Sequence, residues 1–285
     1  MKASLRPAVV AALLVVCLSV TAVSARAAAD PPSIGARCAL LFDANSGRVL
    51  FKKNENEVMP VASTQKLLTA LIVAEAGDLD KMVKITESDT LCEPTKLYLK
   101  PGETYSRRQL LTALLVKSPN DVARALARDN AGSVAAFCDK MDDRMRRLGG
   151  TSSNFENPNG LPAKGQYSTA RDMARVARAA YFNPDLRGMM SQKYYTFRFN
   201  SGKTLTLKNT NRVLRTYSFC NGMKTGYTVA SGHCLISSGS HGSRDVIAIV
   251  LGSNKANVWP ESTALLAYGL GLGPSELASL HIAQQ

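Results

Sequence analysis

The stretch Pro60-Val61-Ala62-Ser63-Thr64-Gln65-Lys66-Leu67-Leu68-Thr69-Ala70-Leu71-Ile72-Val73-Ala74-Glu75-Ala76-Gly77 decides how this chain is read. Its largely apolar run over 67–76 reads as a helix, with Pro60 suited to the entry and Gly77 to the exit. Ser63 then sits near the helix N-terminus, where the dipole favours a developing negative charge. Lys66 lies three residues on, so the two side chains share a face. A serine is a weak nucleophile until a base removes its proton. A lysine is such a base only when burial or a second cation depresses its pKa.

Two more short motifs follow in order, Ser118-Pro119-Asn120 and Lys224-Thr225-Gly226. Singly each is weak, and Ser152-Ser153-Asn154 repeats the S-x-N pattern by chance. Together, on helix, loop and strand, they complete the parts of acyl transfer to a serine. Lys224 is the second cation beside Lys66. Ser118 can relay a proton to a leaving amine, and Asn120 can hydrogen-bond Lys66 and a substrate backbone. Lys224 and Thr225 can hold a carboxylate. Gly226, lacking a side chain, lets a peptide approach a strand edge.

Outward from these motifs the pattern is of α/β (α+β) type, an antiparallel β-sheet flanked by helices with an inserted all-helical lobe. Residues 37–43 read as a strand, Asn45-Ser46-Gly47 as a turn, and 48–52 as the returning strand. The pattern is mostly helical to about 181, with helices over 107–117, from 121, over 134–148 and from 169. Thr169 with Asp172 resembles a capping box. Strands are expected over 194–199, 204–207, 219–225, 234–237 and 245–251, completing the same sheet, with a last helix near 261–268. The motifs come from both lobes, so the site belongs in the cleft between them. Arg171, Arg175 and Arg178 share a helical face, read as solvated.

Residues 1–29 read as a secretory signal peptide: Lys2 and Arg6 as a basic start, 8–21 as an apolar core, and small residues for cleavage after 25 or 29. Cys17 belongs to that core, since Val16 before it is larger than a lipoprotein signal tolerates. Residues 30–285 then form a single catalytic domain with its helical lobe at about 82–182. Removing Lys2, Arg6 and Arg26 takes the net charge from +13 to +10. A basic exported protein is drawn to anionic cell envelopes. Export and scattered aromatics argue against nucleic acid. Five cysteines remain beyond Cys17, namely Cys38, Cys92, Cys138, Cys220 and Cys234, so one at least is unpaired. Cys92 and Cys138 are the first pair to test for a disulfide. No C-x-x-C or histidine cluster suggests a metal or other cofactor, and His233, His241 and His281 all come late, which argues against a Ser-His-Asp triad.

With S-x-x-K, S-x-N and K-T-G in this order, the chain resembles the serine D-alanyl-D-alanine carboxypeptidases, the low-molecular-weight penicillin-binding proteins, from about residue 36 to 269. Further matching segments are Leu41-Phe42-Asp43-Ala44-Asn45-Ser46-Gly47, Leu99-Lys100-Pro101-Gly102, Asn157-Pro158-Asn159-Gly160-Leu161 and Tyr167-Ser168-Thr169-Ala170-Arg171-Asp172-Met173-Ala174. The resemblance implies a β-lactamase/DD-peptidase-like fold, a peptidoglycan stem peptide as substrate and β-lactams as inhibitors. It implies Ser63 as nucleophile, Lys66 as base, Ser118 as relay, Asn120 as a positioning residue and Lys224 with Thr225 as carboxylate clamp. An oxyanion hole would use the N–H groups of Ser63 and Tyr227.

Pro119 stands where many members have Gly, and Tyr227 where some have His. After Gly273 only 274–285 follow, without the β-rich domain and amphipathic anchor of many members. Shorter members include D,D-endopeptidases that cut cross-links, which leaves that activity open. A class A β-lactamase needs a carboxylate for deacylation. Glu156 is the candidate, but it sits in a segment matching the carboxypeptidases. A non-catalytic wall-binding or penicillin-sensing protein should have lost a motif residue or carry a partner domain, and neither is seen.

Overall fold

The structure, a computed structural model, describes residues 30–282; the expected leader lies outside the described residues. The chain opens with strands β1 (Cys38–Asp43) and β2 (Val49–Lys53), then a 3-10 turn at Ala62–Gln65 that runs into α1 (Lys66–Glu75). Next come β3 (Met82–Lys84), α2 (Glu87–Thr90) and β4 (Thr104–Ser106). The helices α3 (Arg107–Lys117), α4 (Asn120–Ala131), α5 (Val134–Arg147), α6 (Ala170–Phe182) and α7 (Pro184–Met190) follow. The last part holds β5 (Tyr194–Arg198), β6 (Thr204–Lys208), α8 (Arg212–Thr216), β7 (Cys220–Thr228), β8 (Gly232–His241), β9 (Arg244–Ser253), α9 (Val258–Leu270) and α10 (Pro274–Ser279).

Five strands form one antiparallel sheet in the order β2-β1-β9-β8-β7. Alternation along the strands divides the core between two faces. Leu40, Phe42, Ile236, Ile247 and Ile249 face the layer built on α1 and α6. Ala39, Leu41, Leu235, Ala248 and Val250 face α9. Because both faces are covered, these strands read as continuous apolar runs. Helix α1 is likewise surrounded, with every residue of Lys66-Leu67-Leu68-Thr69-Ala70-Leu71-Ile72-Val73 buried. No helix among the described residues is long and apolar enough to cross a membrane.

Three expectations need correction. The strands at 194–199 and 204–207 do not join the main sheet. They pair only with each other as a separate ribbon, in which Phe197 and Leu207 alone are buried. A ribbon with so little to bury suits one-sided packing rather than a sheet covered on both faces. The arginine face of α6 is not simply solvated. Arg171 pairs with Glu55 at 3.0 Å, Arg175 with Asp172 at 2.9 Å, and Arg178 donates to the carbonyls of Ala44 and Asn45 at 2.8 and 2.6 Å. Two of the three thus tie the helix to the N-terminal hairpin. Cys92 and Cys138 form no disulfide, and all five described cysteines are free thiols. Cys92 lies in the loop after α2, its Sγ directed at the Asp89 carbonyl, whereas Cys138 is buried on α5 among Asp142, Asp139 and Glu156.

Candidate active site

Ser63 lies in the 3-10 turn one step before α1. Ala62 holds a left-handed φ of +48°, a conformation that costs a residue with a side chain about 1–2 kcal/mol and turns the chain sharply at the serine. Gly160, at φ +81°, approaches so closely that a Cβ there would stand 2.1 Å from the Ala62 carbonyl oxygen. Gly226 on β7 has the same relation from the other side: its Cβ would meet the Ser63 nitrogen at 2.9 Å. The expectation gave Gly226 the task of admitting a peptide. In the structure the missing side chain makes room for the turn that carries Ser63.

Lys66 is fully buried and donates to Ser63 Oγ at 2.8 Å, Asn120 Oδ1 at 2.6 Å and the Asn159 carbonyl at 2.8 Å. Ser63 Oγ also donates to Asn159 O at 3.1 Å. Burial first, and the neighbouring Lys224 second, hold the Lys66 amine well below the usual lysine range. Lys224 is also fully buried, and that burial lowers its pKa to about 7.

Asn120 opens α4 because the preceding pair breaks the helical path. A residue before proline is disfavoured in the right-handed helical region, and Ser118 takes φ +68° as the cap of α3. Pro119, at φ −68°, then starts α4. The Asn120 side-chain amide donates to the carbonyls of Glu93 and Pro94 at 3.0 and 3.1 Å. That fixes its oxygen towards Lys66.

Ser63, Ser118, Asn120, Thr225, Gly226 and Tyr227 line one cleft of about 470 Å³. Lys66 and Lys224 lie beneath its surface. Lys224 Nζ donates to the Thr225 carbonyl at 2.9 Å, and Thr225 Oγ1 donates to Thr210 Oγ1 at 2.7 Å. Tyr227 is 57 % exposed and packs against His233, with ring centroids 4.4 Å apart. All eight residues singled out in the sequence therefore meet at or directly under this cleft.

Others at the site were given no role by the three motifs, although Asn159 lies in the 157–161 segment that matches the carboxypeptidases. Asn159 contributes a backbone carbonyl, which any residue type possesses. Arg212, Lys255 and Trp259 line the cleft from separate elements, with the Arg212 guanidinium 5.3 Å from the Trp259 ring centre. Neither Arg212 nor Lys255 has an ion-pair partner among the described residues, and no carboxylate lines the cleft there. Glu156 is exposed, accepts from Asn154 Nδ2 at 2.8 Å and is not part of the cleft lining. Ser153, in the repeated S-x-N pattern, bonds to Ser168 and Asp172, a structural use. No group of side chains suited to a metal occurs among the described residues.

The model of the D-alanyl-D-alanine carboxypeptidase family matches residues 25–255. The chain is 33 % identical to the D-alanyl-D-alanine carboxypeptidase DacF of Bacillus subtilis, over 77 % of this chain and 58 % of that protein. It is 33 % identical to DacC of Escherichia coli, also a D-alanyl-D-alanine carboxypeptidase, over 87 % of this chain and 64 % of that one. It thus spans about three-fifths of the length of these two curated relatives. The solved D-alanyl-D-alanine carboxypeptidase of Mycobacterium tuberculosis H37Rv superposes with a TM-score of 0.81 at 31 % identity, over 87 % of this chain and 96 % of that one. The buried lysine beneath Ser63, with α4 and β7 at the same cleft, sits within a sequence match that covers most of the chain, and the chain belongs to the D-alanyl-D-alanine carboxypeptidase family of serine peptidases.

Proposed function

We propose that this protein is a serine D,D-carboxypeptidase that hydrolyses the terminal D-Ala-D-Ala bond of peptidoglycan stem peptides through an acyl-enzyme on Ser63. The observation that carries this reading is the 2.8 Å contact between Lys66 Nζ and Ser63 Oγ at a fully buried amine. A neutral Lys66 keeps its two N–H bonds to Asn120 and Asn159 and turns its lone pair to the Ser63 hydroxyl. Ser63 attacks the carbonyl of the penultimate D-alanine while its proton passes to Lys66. The oxyanion meets the N–H groups of Ser63 and Tyr227. Collapse of the tetrahedral intermediate breaks the peptide bond. Ser118 relays the proton to the departing D-alanine nitrogen, and water then releases the acyl group along the same proton path.

The substrate's terminal carboxylate is received by Thr225 with the cations Arg212 and Lys255, neither of which has an ion-pair partner among the described residues. Lys224, turned to the Thr225 carbonyl, supports the strand and keeps the Lys66 amine neutral. β-Lactams acylate the same serine. Glu156, outside the cleft lining, favours a peptidase over a class A β-lactamase. The runner-up, a D,D-endopeptidase, is less favoured because the family match is to carboxypeptidases.

We further propose that residues 1–29 direct export, so that 30–285, with the helical lobe at about 82–182, act outside the cytoplasm. The basic surface favours association with an anionic envelope. The direct test incubates the protein lacking residues 1–29 with a D-Ala-D-Ala pentapeptide and with a cross-linked muropeptide, followed by mass spectrometry. Release of one D-alanine from the pentapeptide is expected. Cleavage of the cross-link alone would transfer the assignment to endopeptidase.

A further inference from the structure

A second recess, of about 580 Å³, adjoins the cleft and is lined by Thr90, Cys92, Glu93, Lys96 and Arg124 on one side and by Asn157, Asn159 and Leu161 on the other. Leu161 belongs to both cavities. So does the chain around Pro94: Pro94 and Thr95 face the cleft, whereas Cys92 and Glu93 face the recess. The two walls are wired to the catalytic groups. The Asn159 carbonyl accepts from both Ser63 and Lys66. The Glu93 and Pro94 carbonyls accept from Asn120, whose oxygen holds Lys66.

The charged side chains of the recess have no partner of opposite charge among the described residues. Elsewhere arginines are tied to carboxylates, as in Arg107 to Asp129, Arg128 to Asp89 and Arg144 to Glu75. Lys96 donates only to the Thr90 carbonyl at 3.1 Å and lies 5.7 Å from the Tyr98 ring centre. Arg124 donates through Nε to the Ser88 carbonyl at 3.1 Å, which leaves the rest of its guanidinium fork available. Neither cation, nor Glu93, makes an ion pair among the described residues. Two cations and one carboxylate around one recess, none neutralising another, match a ligand that brings both signs of charge.

Resting on the carboxypeptidase reading, the course of the substrate decides which part of it arrives here. The terminal carboxylate belongs at the Thr225, Arg212 and Lys255 wall, so the acyl side of the stem peptide passes Asn120, Pro94 and Leu161. The residue before the acylating D-alanine then has its side chain beside the recess. We propose that the recess is a subsite for that third residue and selects a side chain ending in an amino-carboxylate over one ending in an amine alone. Lys96 and Arg124 receive the distal carboxylate, and Glu93 receives the distal ammonium.

The test compares two pentapeptides ending in D-Ala-D-Ala, one with diaminopimelate and one with lysine at the third position. A third peptide, with the distal diaminopimelate carboxyl amidated, keeps the shape and removes the charge. In the wild type kcat/KM for the diaminopimelate peptide is expected to exceed that for the other two by about ten-fold or more, the scale of a lost hydrogen bond to a charged group. Arg124→Ala and Lys96→Ala should each bring the ratio towards one, and Arg124→Lys should restore part of it. Equal kcat/KM for all three peptides in the wild type, or an unchanged ratio in Arg124→Ala, would overturn the proposal. Failure of the carboxypeptidase reading looks different, because then no peptide loses D-alanine. The recess is in that case scored by titration calorimetry with Ser63→Ala, where tighter binding of the diaminopimelate peptide supports the subsite and equal affinity contradicts it.

Discussion

Lys66 Nζ has three hydrogen-bond partners, Ser63, Asn120 and Asn159, and a neutral amine can donate to only two of them. The third contact is therefore where its lone pair points once the proton is gone. Lys66→Ala should lower D-alanine release by about 10²–10⁴-fold, the range of a general base, with the melting temperature showing that the fold persists. Activity should also fall on acidification as Lys66 gains a proton, and a rate independent of pH would contradict a lysine base. A second residue-scale prediction separates two cations. Arg212 faces the cleft, whereas Lys224 is buried and bonded to the Thr225 carbonyl. Arg212→Ala should reduce kcat/KM for a free-carboxylate peptide about ten-fold more than for its C-terminal amide. Lys224→Ala should reduce both alike. The reverse pattern, measured on the same peptide pair, would return the carboxylate to Lys224.

At the scale of elements, the site depends on how closely β7 approaches the Ser63 turn. In Gly226→Ala the new methyl would lie 2.9 Å from the Ser63 nitrogen and 3.0 Å from the Thr64 nitrogen, and backbone cannot step aside as a side chain can. Penicillin labelling and peptide turnover should fall together, by about ten-fold or more, because a displaced nucleophile loses its alignment. Gly188→Ala on α7, with no atom within 4 Å of the new methyl, is the control expected to change neither. Retained activity in Gly226→Ala would show that the turn is not held by this contact. Some elements were plain in the sequence and others were not, for physical reasons. Helix α3 was read at its true bounds, because the apolar run after Arg107 ends at the Ser118-Pro119 break. The strands β3 and β4 have three residues each, too few for a period to show. The ribbon of β5 and β6 was legible as strands but not as a separate sheet, since its alternation does not say which core it faces. Asn159 was invisible as a participant because its carbonyl, not its side chain, does the bonding.

For the whole molecule, burying two lysine amines makes stability depend on pH. Lys224 has a folded pKa of about 7, against an ordinary value of 10.5. The unfolded chain therefore holds a proton that the folded protein has released, and between these values stability rises with pH. The penalty is fully present below about pH 7. Buried thiols act in the opposite sense at higher pH, since Cys38, Cys138, Cys220 and Cys234 are pushed up from 9.0 to about 11 or 12. The clean window thus lies between about pH 7 and pH 9. Urea unfolding there should show a smaller gain of stability with pH in Lys224→Met than in the wild type, and equal slopes would mean that the amine is charged in the fold. The three motifs made the cluster around Ser63 legible from sequence because each lies in a short local pattern. Arg212, Lys255 and Trp259 were not legible, because only the folded sheet and helices bring them to one cleft. Residues of α4 and β7 converge with Ser63 on one cleft. Labelled penicillin followed by intact-mass and peptide mapping decides whether Ser63 is acylated there: one adduct is expected, on Ser63, persisting for minutes in the wild type and absent in Ser63→Ala, whereas label on Ser118 or Ser152, or undiminished labelling of Ser63→Ala, would overturn the assignment.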